Sequence, residues 1–461
     1  MSSLKTQETR EGILSRFAER TRGSRAFSAR ARRVLPGGDT RTSTYYAPYP
    51  AYMERGEGCH VYDCDGNRYL DLLNNYSALI HGHAHPPTVE AIREQASKGT
   101  VLGAPCRVGV SHAELLCERV PSLDSVRYCN SGSEATLFAL RAARAFSGKD
   151  GIVKIEGGYH GTHDYAEVSI APDLEGDDLP RGHLASRGVP ASVLDEVFVV
   201  PLNQLEAVEA VLDQHGDRIA AVIIEPQLGA GGGVAAQADY LHGLRRLADR
   251  HDVLLIFDEI RTFRLDLGGL QRQHGVIPDI TALGKFIGGG LPVGAFGGRE
   301  EIMTLFDPTR PGYLKHAGTF NGNNITMAAG LATLEDYGAE AIARLNGLGE
   351  RLERRLNEVL AAVGIRGRAV GTGSLLSLHW QEEKAATSRE VKAAARAARD
   401  VPKLLHLEML NRGVFCAARM DFYLSTAVSE AEVDTAAHAF WGALETLKPY
   451  VAEQTPHLIA G

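Results

Sequence analysis

The sequence predicts an α/β fold: a large domain with a mostly parallel central sheet flanked by helices, beside a smaller α+β domain. Three observations carry this expectation. Short, nearly continuous apolar runs alternate with helical segments from about residue 110, as in sheets whose strands are covered on both faces. After about residue 335 the alternation gives way to long helical stretches around one β-rich piece. Neither the N-terminal nor the C-terminal segment looks like a complete core alone, so the two are expected to pack together. The expected division is 1–75 for the N-terminal segment, 76–334 for the large domain and 335–461 for the small one.

The elements follow in order. Residues 11–34 read as one amphipathic helix carrying Ile13, Leu14, Phe17 and Phe27, ended by LPGGDTR at 35–41. A hairpin-like stretch over 51–72 turns at Asp65, Gly66 and Asn67. Expected strands are 126–129, 152–155, 196–200, 220–225, 253–259, 280–283 and 293–296. Helices at 133–146 and 237–251 intervene, the first ending at Gly148. Further on, helices at 338–363 and 387–412 bracket a β-rich piece at 368–380. A last helix covers 429–447.

Composition narrows the function. With 461 residues, 44% of them hydrophobic and 23% charged, the chain is neither disordered, nor collagen-like, nor a coiled-coil rod. A formal net charge of −8 gives no electrostatic reason to bind nucleic acid or an anionic membrane. The longest apolar runs, such as VLLIF at 253–257, are far short of a membrane span. The first twenty residues carry charges throughout, without the apolar core of a secretory leader, and Glu8, Glu11 and Glu19 argue against a transit peptide. Cys59, Cys64, Cys106, Cys117, Cys129 and Cys416 form no CxxC pair and are expected to be free thiols in a reducing compartment. The expected location is the cytoplasm.

In open α/β sheets, ligands sit outside the carboxyl ends of the strands, so the residues following each strand matter most. After VRYC (126–129) come Ser131, Gly132 and Ser133 at a helix start. Small residues and unpaired N–H groups there suit a phosphate, although a serine at a helix start is commonly a plain cap. EGGYHG at 156–161 sets Tyr159 and a histidine at a strand exit, where a tyrosine can stack on a flat ligand. Glu225 ends the next strand. Asp258 directly follows an apolar strand, where an acid is costly unless a cation or a protonated group pairs with it; a salt bridge would also do. Lys285 lies among apolar residues and glycines, the setting in which a lysine attacks a carbonyl to form a Schiff base. Phosphate, flat ring with a basic nitrogen, and aldehyde together describe pyridoxal 5'-phosphate (PLP).

NSGSEA, EGGYHG, IIEP, IFDEI, LGKFIGGG and AGTFNGNN occur here in the order found in class III, fold-type I PLP-dependent aminotransferases, and the chain resembles that family from about Ala31 to about Thr446. LPGG (35–38), LIHGHAHP (79–86) and IGGGLPVGAFGG (287–298) are similar to the glutamate-1-semialdehyde 2,1-aminomutase subgroup. RTSTYYAPYP (41–50), FDEIRTFRLDLGGL (257–270) and AGTFNGNNITMAAG (317–330) resemble the β-amino acid (β-phenylalanine) aminotransferases within it. The resemblance implies a PLP-dependent transaminase working by a ping-pong mechanism between an amino donor and a 2-oxo acid acceptor. It makes Lys285 the imine lysine and proton shuttle, and Asp258 the partner of the pyridine nitrogen. Tyr159 would stack on the ring, and Ser131, Gly132 and Ser133 would hold the phosphate. Thr319 would reach the phosphate from the partner subunit of a homodimer with shared active sites. Glu225 would lie near the cofactor, while Arg41 and Arg419 would bind substrate carboxylates.

Two departures bear on the alternative, an aminomutase that moves the amino group within one molecule. The run TFRLD (262–266) is one residue shorter before its arginine than the mutase pattern, and FNGNN (320–324) replaces Leu-Ser-Gly-Asn-Pro after Thr319. Arg261 stands where the family commonly has an apolar or small residue. A nucleotide-binding oxidoreductase would require a GxGxxG after the first strand of a βαβ unit, or a GxxxxGK[ST], and neither is present. A non-catalytic binding protein on the same scaffold is at odds with Lys285 and Asp258 both being intact. The pocket for the substrate side chain depends on loops such as 41–50, whose Tyr45, Tyr46 and Tyr49 could wall it, and 165–190.

Overall fold

The computed structural model describes residues 4–175 and 182–460, so 176–181 of the 165–190 loop lie outside the described residues. The chain divides into two units: Met1–His85 with Arg344–Lys384 and Ala393–Gly461, and Pro86–Ala343 with Ala385–Lys392. In chain order the strands are β1 (Met53–Glu57), β2 (His60–Asp63), β3 (Arg68–Asp71), β4 (Ser125–Cys129), β5 (Gly151–Ile155), β6 (Val197–Val200), β7 (Ile219–Ile224), β8 (Leu254–Asp258), β9 (Ile280–Gly284), β10 (Gly294–Gly298), β11 (Arg368–Thr372), β12 (Leu375–His379), β13 (Val414–Phe415) and β14 (Asp421–Tyr423).

The larger unit holds a seven-stranded sheet in the order β4-β10-β9-β8-β7-β5-β6. The pairs from β9 through β6 are parallel, and β10 runs antiparallel to both β9 and β4. The carboxyl ends of β4, β5, β7, β8 and β9 therefore share one edge. Every residue of β5, β7, β8 and β9 is buried, and alternation sorts them between two cores. Val222, Ile224, Leu255 and Phe257 enter one core, while Ala221, Ile223, Leu254 and Ile256 enter the other. Phe257→Ala would cost about 3–5 kcal/mol. The helix Gly132–Ser147 adds Ala135, Ala139, Ala142 and Ala143 to the second core. These small residues let it lie close on the sheet. It ends at Gly148, whose φ of 70° is the left-handed cap expected there.

The smaller unit holds two sheets. One has the order β1-β2-β3-β13, with only β13 parallel to its neighbour, and the other is the antiparallel β11-β12-β14. The single helix expected at 11–34 is two, Leu4–Arg20 and Arg22–Ala31. The break lies at Thr21, whose hydroxyl donates to the Phe17 carbonyl at 2.6 Å and lies 3.1 Å from the Tyr49 hydroxyl. The Asp65 carboxylate then accepts the N–H groups of Gly23 and Ser24, capping the second helix from the hairpin turn. Ile13 and Phe17 are core residues, but Phe27 is exposed and stacks on Tyr52. The 387–412 stretch is likewise two helices, Ser388–Ala397 and Val401–Asn411, separated at Arg399 with φ 55°. The last helix is longer than expected, Glu430–Gln454, opened by a capping box between Ser429 and Glu432.

Candidate active site

Asp258 is the last residue of β8, at the carboxyl edge of the sheet, and is 3% exposed. One carboxylate oxygen accepts the Ile260 N–H at 3.1 Å; the other lies 2.8 Å from His160 Nδ1. Burial lifts its carboxyl to about 7, against the Ile260 N–H and the charge of Lys285, which both pull it down. His160 is pushed to about 3, first by burial and then by the charge of Lys154, so it is neutral and donates from Nδ1. His160 was not among the residues singled out from the sequence, although EGGYHG places it at a strand exit.

The turn carrying His160 is held from several sides. Lys154, fully buried on β5, donates from Nζ to the Gly158 carbonyl at 2.5 Å. Burial lowers its ammonium to about 8, against the pull of Glu225, Glu167 and Glu156. Glu225 is buried just past β7 and takes the Tyr159 N–H on one oxygen at 2.8 Å and the Gly229 N–H on the other at 3.0 Å. Glu156 pairs with Arg389 at 2.9 Å, and the Ser388 hydroxyl donates to the Glu156 carbonyl. Tyr159 itself leaves this clamped backbone with its side chain 43% exposed, free to meet a ring. The sequence signalled Tyr159 and Glu225 but not Lys154, which hides in an otherwise apolar strand.

Ser131 is the N-cap of the helix Gly132–Ser147. Its hydroxyl accepts the Glu134 N–H at 3.2 Å, and the Glu134 carboxylate accepts the Asn130 N–H at 2.6 Å. The capping reading of Ser131 is therefore realised; it takes the Glu134 N–H, and the N–H groups of Gly132 and Ser133 at the helix start are placed to meet an anion. Gly161, with φ 101°, allows the close approach of the 156–161 turn: a Cβ there would sit 2.4 Å from Ser133 Oγ. Lys285 follows β9 and opens the short turn Lys285–Gly288. Its φ of 57° is left-handed, which costs a residue with a Cβ about 1–2 kcal/mol. Thr319 is exposed, in a groove of about 720 Å³ that also takes Arg127, Tyr128 and His316. Two residues on, Asn321 accepts a hydrogen bond from the Asn130 side chain at 2.8 Å.

Arg41 and Arg419 belong to the smaller unit, and both are exposed. They share one support, the turn Asn74–Ser77, whose four residues have φ of 46°, 48°, 57° and 68°. Asparagine tolerates this left-handed conformation; tyrosine does so at a cost. The Asp71 carboxylate holds the turn by accepting the Leu73 and Asn74 N–H groups, and the Asn74 side chain donates to the Tyr423 carbonyl at 2.7 Å. Arg41 donates to the Asn75 side chain at 2.9 Å. The Arg419 guanidinium lies 5.6 Å from the Tyr76 ring centre, pairs with Asp421 and donates to the Tyr423 hydroxyl. The three tyrosines of the 41–50 segment do not act together as pocket walls. Tyr46 and Tyr49 pack against Phe17 in the core, Tyr46 accepting the Ala51 N–H, and Tyr45 remains exposed.

The residues of the larger unit fit PLP. A helix start open to an anion suits the phosphate. A carboxyl lifted to about 7 by burial gains most from a protonated ring nitrogen, which would return it to the charged form. Comparison with known proteins agrees. The family model for class III aminotransferases matches residues 42–429. The chain belongs to the class III aminotransferases. It is 40% identical over 432 residues to a glutamate-1-semialdehyde 2,1-aminomutase of Syntrophobacter fumaroxidans, covering 92% of this chain and 97% of that one. It is 38% identical over 411 residues to a β-phenylalanine transaminase of Variovorax paradoxus, covering 89% of each. Among solved structures, an omega-transaminase from Sphaerobacter thermophilus superposes with a TM-score of 0.89 at 42% identity, over 92% of this chain and 98% of that one. The protein is thus a PLP-dependent aminotransferase of fold type I.

Proposed function

We propose that this aminotransferase takes its amino group from a β-amino acid and passes it to a 2-oxo acid in a ping-pong sequence. One observation carries the catalytic core of the reading: Asp258 and Lys285 stand at the exits of the neighbouring strands β8 and β9, beside the helix start at 131–133. Bound PLP supplies an aldehyde for the donor amine and a ring that draws electrons from the amine-bearing carbon. Lys285, at the exit of β9, is the residue that would hold the cofactor aldehyde through Nζ, and its amine would serve as the base that moves a proton at the amine-bearing carbon. Asp258 would pair with the ring nitrogen and favour its protonated form, while His160, neutral and donating, fixes the orientation of the carboxylate. Tyr159 would cover the ring face, and Ser131, Gly132 and Ser133 would hold the phosphate. Glu225 fixes the backbone of Tyr159.

Arg41 and Arg419 are the carboxylate-binding residues of this reading. Its support is the shared turn Asn74–Ser77 and the two departures from the mutase pattern, together with the likeness to the β-phenylalanine transaminase. The active unit is a cytoplasmic homodimer in which Thr319 of one chain completes the phosphate site of the other. Exposed Phe320, next to Thr319 in the chain, favours burial by a second copy, and six free cysteines favour a reducing compartment. The deciding experiment supplies β-phenylalanine with and without a 2-oxo acid. Turnover that requires both is expected. Product formed from a single amino-aldehyde substrate without any oxo acid would establish the mutase instead.

A further inference from the structure

Arg261 has no counterpart in the family resemblance, and its surroundings assign it work. It lies three residues beyond Asp258 and is 6% exposed. Its Nη2 donates to Gln227 Oε1 at 2.9 Å, and Gln227, fully buried, donates in turn to the Gly233 carbonyl. A Cβ on Gly229 would lie 3.3 Å from Arg261 Nη1 and 3.0 Å from Glu225 Oε1, so guanidinium and carboxylate flank a place that only glycine leaves open.

Glu225 needs such a neighbour. Burial raises its carboxyl and the charge of Asp258 raises it further; His160, the Tyr159 N–H and Arg261 act in the opposite sense. The charged and titratable groups facing it are Lys154 on β5, Tyr159 and His160 on the following turn, Asp258 on β8 and Arg261 beyond it. Two acids therefore share this interior, and Arg261 adds a cation on the Glu225 side of it. We propose that Arg261 is a positioning residue acting through Glu225: it braces the 225–229 turn, supplies the counter-charge to the carboxylate, and so fixes the backbone that presents Tyr159. This rests on the reading of the larger unit as the PLP site.

The test measures PLP affinity of the apo chain by its absorbance between pH 5.5 and 8.5, for wild type, Arg261→Met, Arg261→Lys, Glu225→Gln and Arg261→Met/Glu225→Gln. Removing the guanidinium raises the Glu225 carboxyl, so its neutral form appears at higher pH and binding is lost from the acid side. Arg261→Met should bind PLP about tenfold more weakly than wild type at the acid end of that range, the scale of one lost opposite charge, and much less so at pH 8.5. Arg261→Lys should restore the wild-type pH profile. In the Glu225→Gln background Arg261→Met should change affinity less than twofold. An Arg261→Met that folds only in that background is the same coupling in its extreme form. An unchanged profile, an equal penalty in both backgrounds, or failure to fold in both would overturn the proposal. A wild-type chain that binds no PLP at any pH would overturn the reading of the site itself, an outcome distinct from all of these.

Discussion

The two groups of candidate residues are built differently. In the larger unit, Ser131, Tyr159, Glu225, Asp258 and Lys285 each stand at or just beyond the carboxyl end of a strand of one sheet, and their backbones are fixed by a core buried on both faces. In the smaller unit, Arg41 and Arg419 are exposed side chains on connecting segments, steadied by one left-handed turn. On the proposed reading, the chemistry common to all substrates would sit on rigid strand ends, and recognition of a particular substrate on segments that can change without disturbing a core.

The comparison can be broken at its strongest point first. Lys285→Ala should lose the visible absorbance of the lysine-bound cofactor, and at least the ~10²–10⁴-fold that proton transfer alone contributes. Retained turnover would remove Lys285 from the centre of the reaction. Asp258→Asn should keep PLP but slow the half-reaction by about 10²–10³-fold, the scale of a lost electrostatic partner. A rate close to wild type in single-turnover measurements would make Asp258 merely structural.

The smaller unit should respond selectively. Arg41→Ala should cost about 2–4 kcal/mol in kcat/KM with carboxylated donors and much less with simple amines. Equal losses for both donor types would indicate a general defect and end the case for Arg41 as a carboxylate site.

The smallest effect concerns pH in the apo protein. Asp258 has a raised folded value, about 7 against 3.8, so its contribution falls as pH climbs through that window. His160 has a lowered folded value, about 3 against 6.5, so its contribution rises with pH through that window. The two slopes oppose one another where they overlap. Asp258→Asn should unmask the histidine, giving stability that rises between pH 4 and 6 by up to about 1.4 kcal/mol per unit more steeply than in wild type. Urea midpoints would check this, and parallel curves for the two proteins would contradict it.

What could be read in advance follows the same division. Strands such as VLLIF and AAVII declare themselves because burial on both faces forbids polar residues, and the residues just past them inherit a known position. Lys154 escaped notice because a buried lysine inside IVKI breaks that rule, its compensation being a carbonyl four residues on. The break at Thr21 escaped because the cap of the second helix is Asp65, far along the chain. Arg41 and Arg419 were identifiable only through family likeness, since the turn that supports them, Asn74–Ser77, has no periodic signature. Tyr46 and Tyr49 were misread for a related reason: local composition cannot distinguish a tyrosine facing a pocket from one packed on Phe17.

The parallel pairing of β13 with β3 also bears on synthesis. Asn74 finds its carbonyl partner 349 residues later, at Tyr423, and β3 pairs with β13 only when Val414 and Phe415 have been made. At roughly 5–20 residues per second, the nascent N-terminal segment waits tens of seconds with one strand edge unpaired. The larger unit, contiguous from Pro86 to Ala343 apart from the later segment Ala385–Lys392, has most of its sequence in hand well before then. The N-terminal hairpin thus carries an unpaired strand edge for longer than most of the larger unit needs to be made, and an unpaired edge is a template for pairing with other chains.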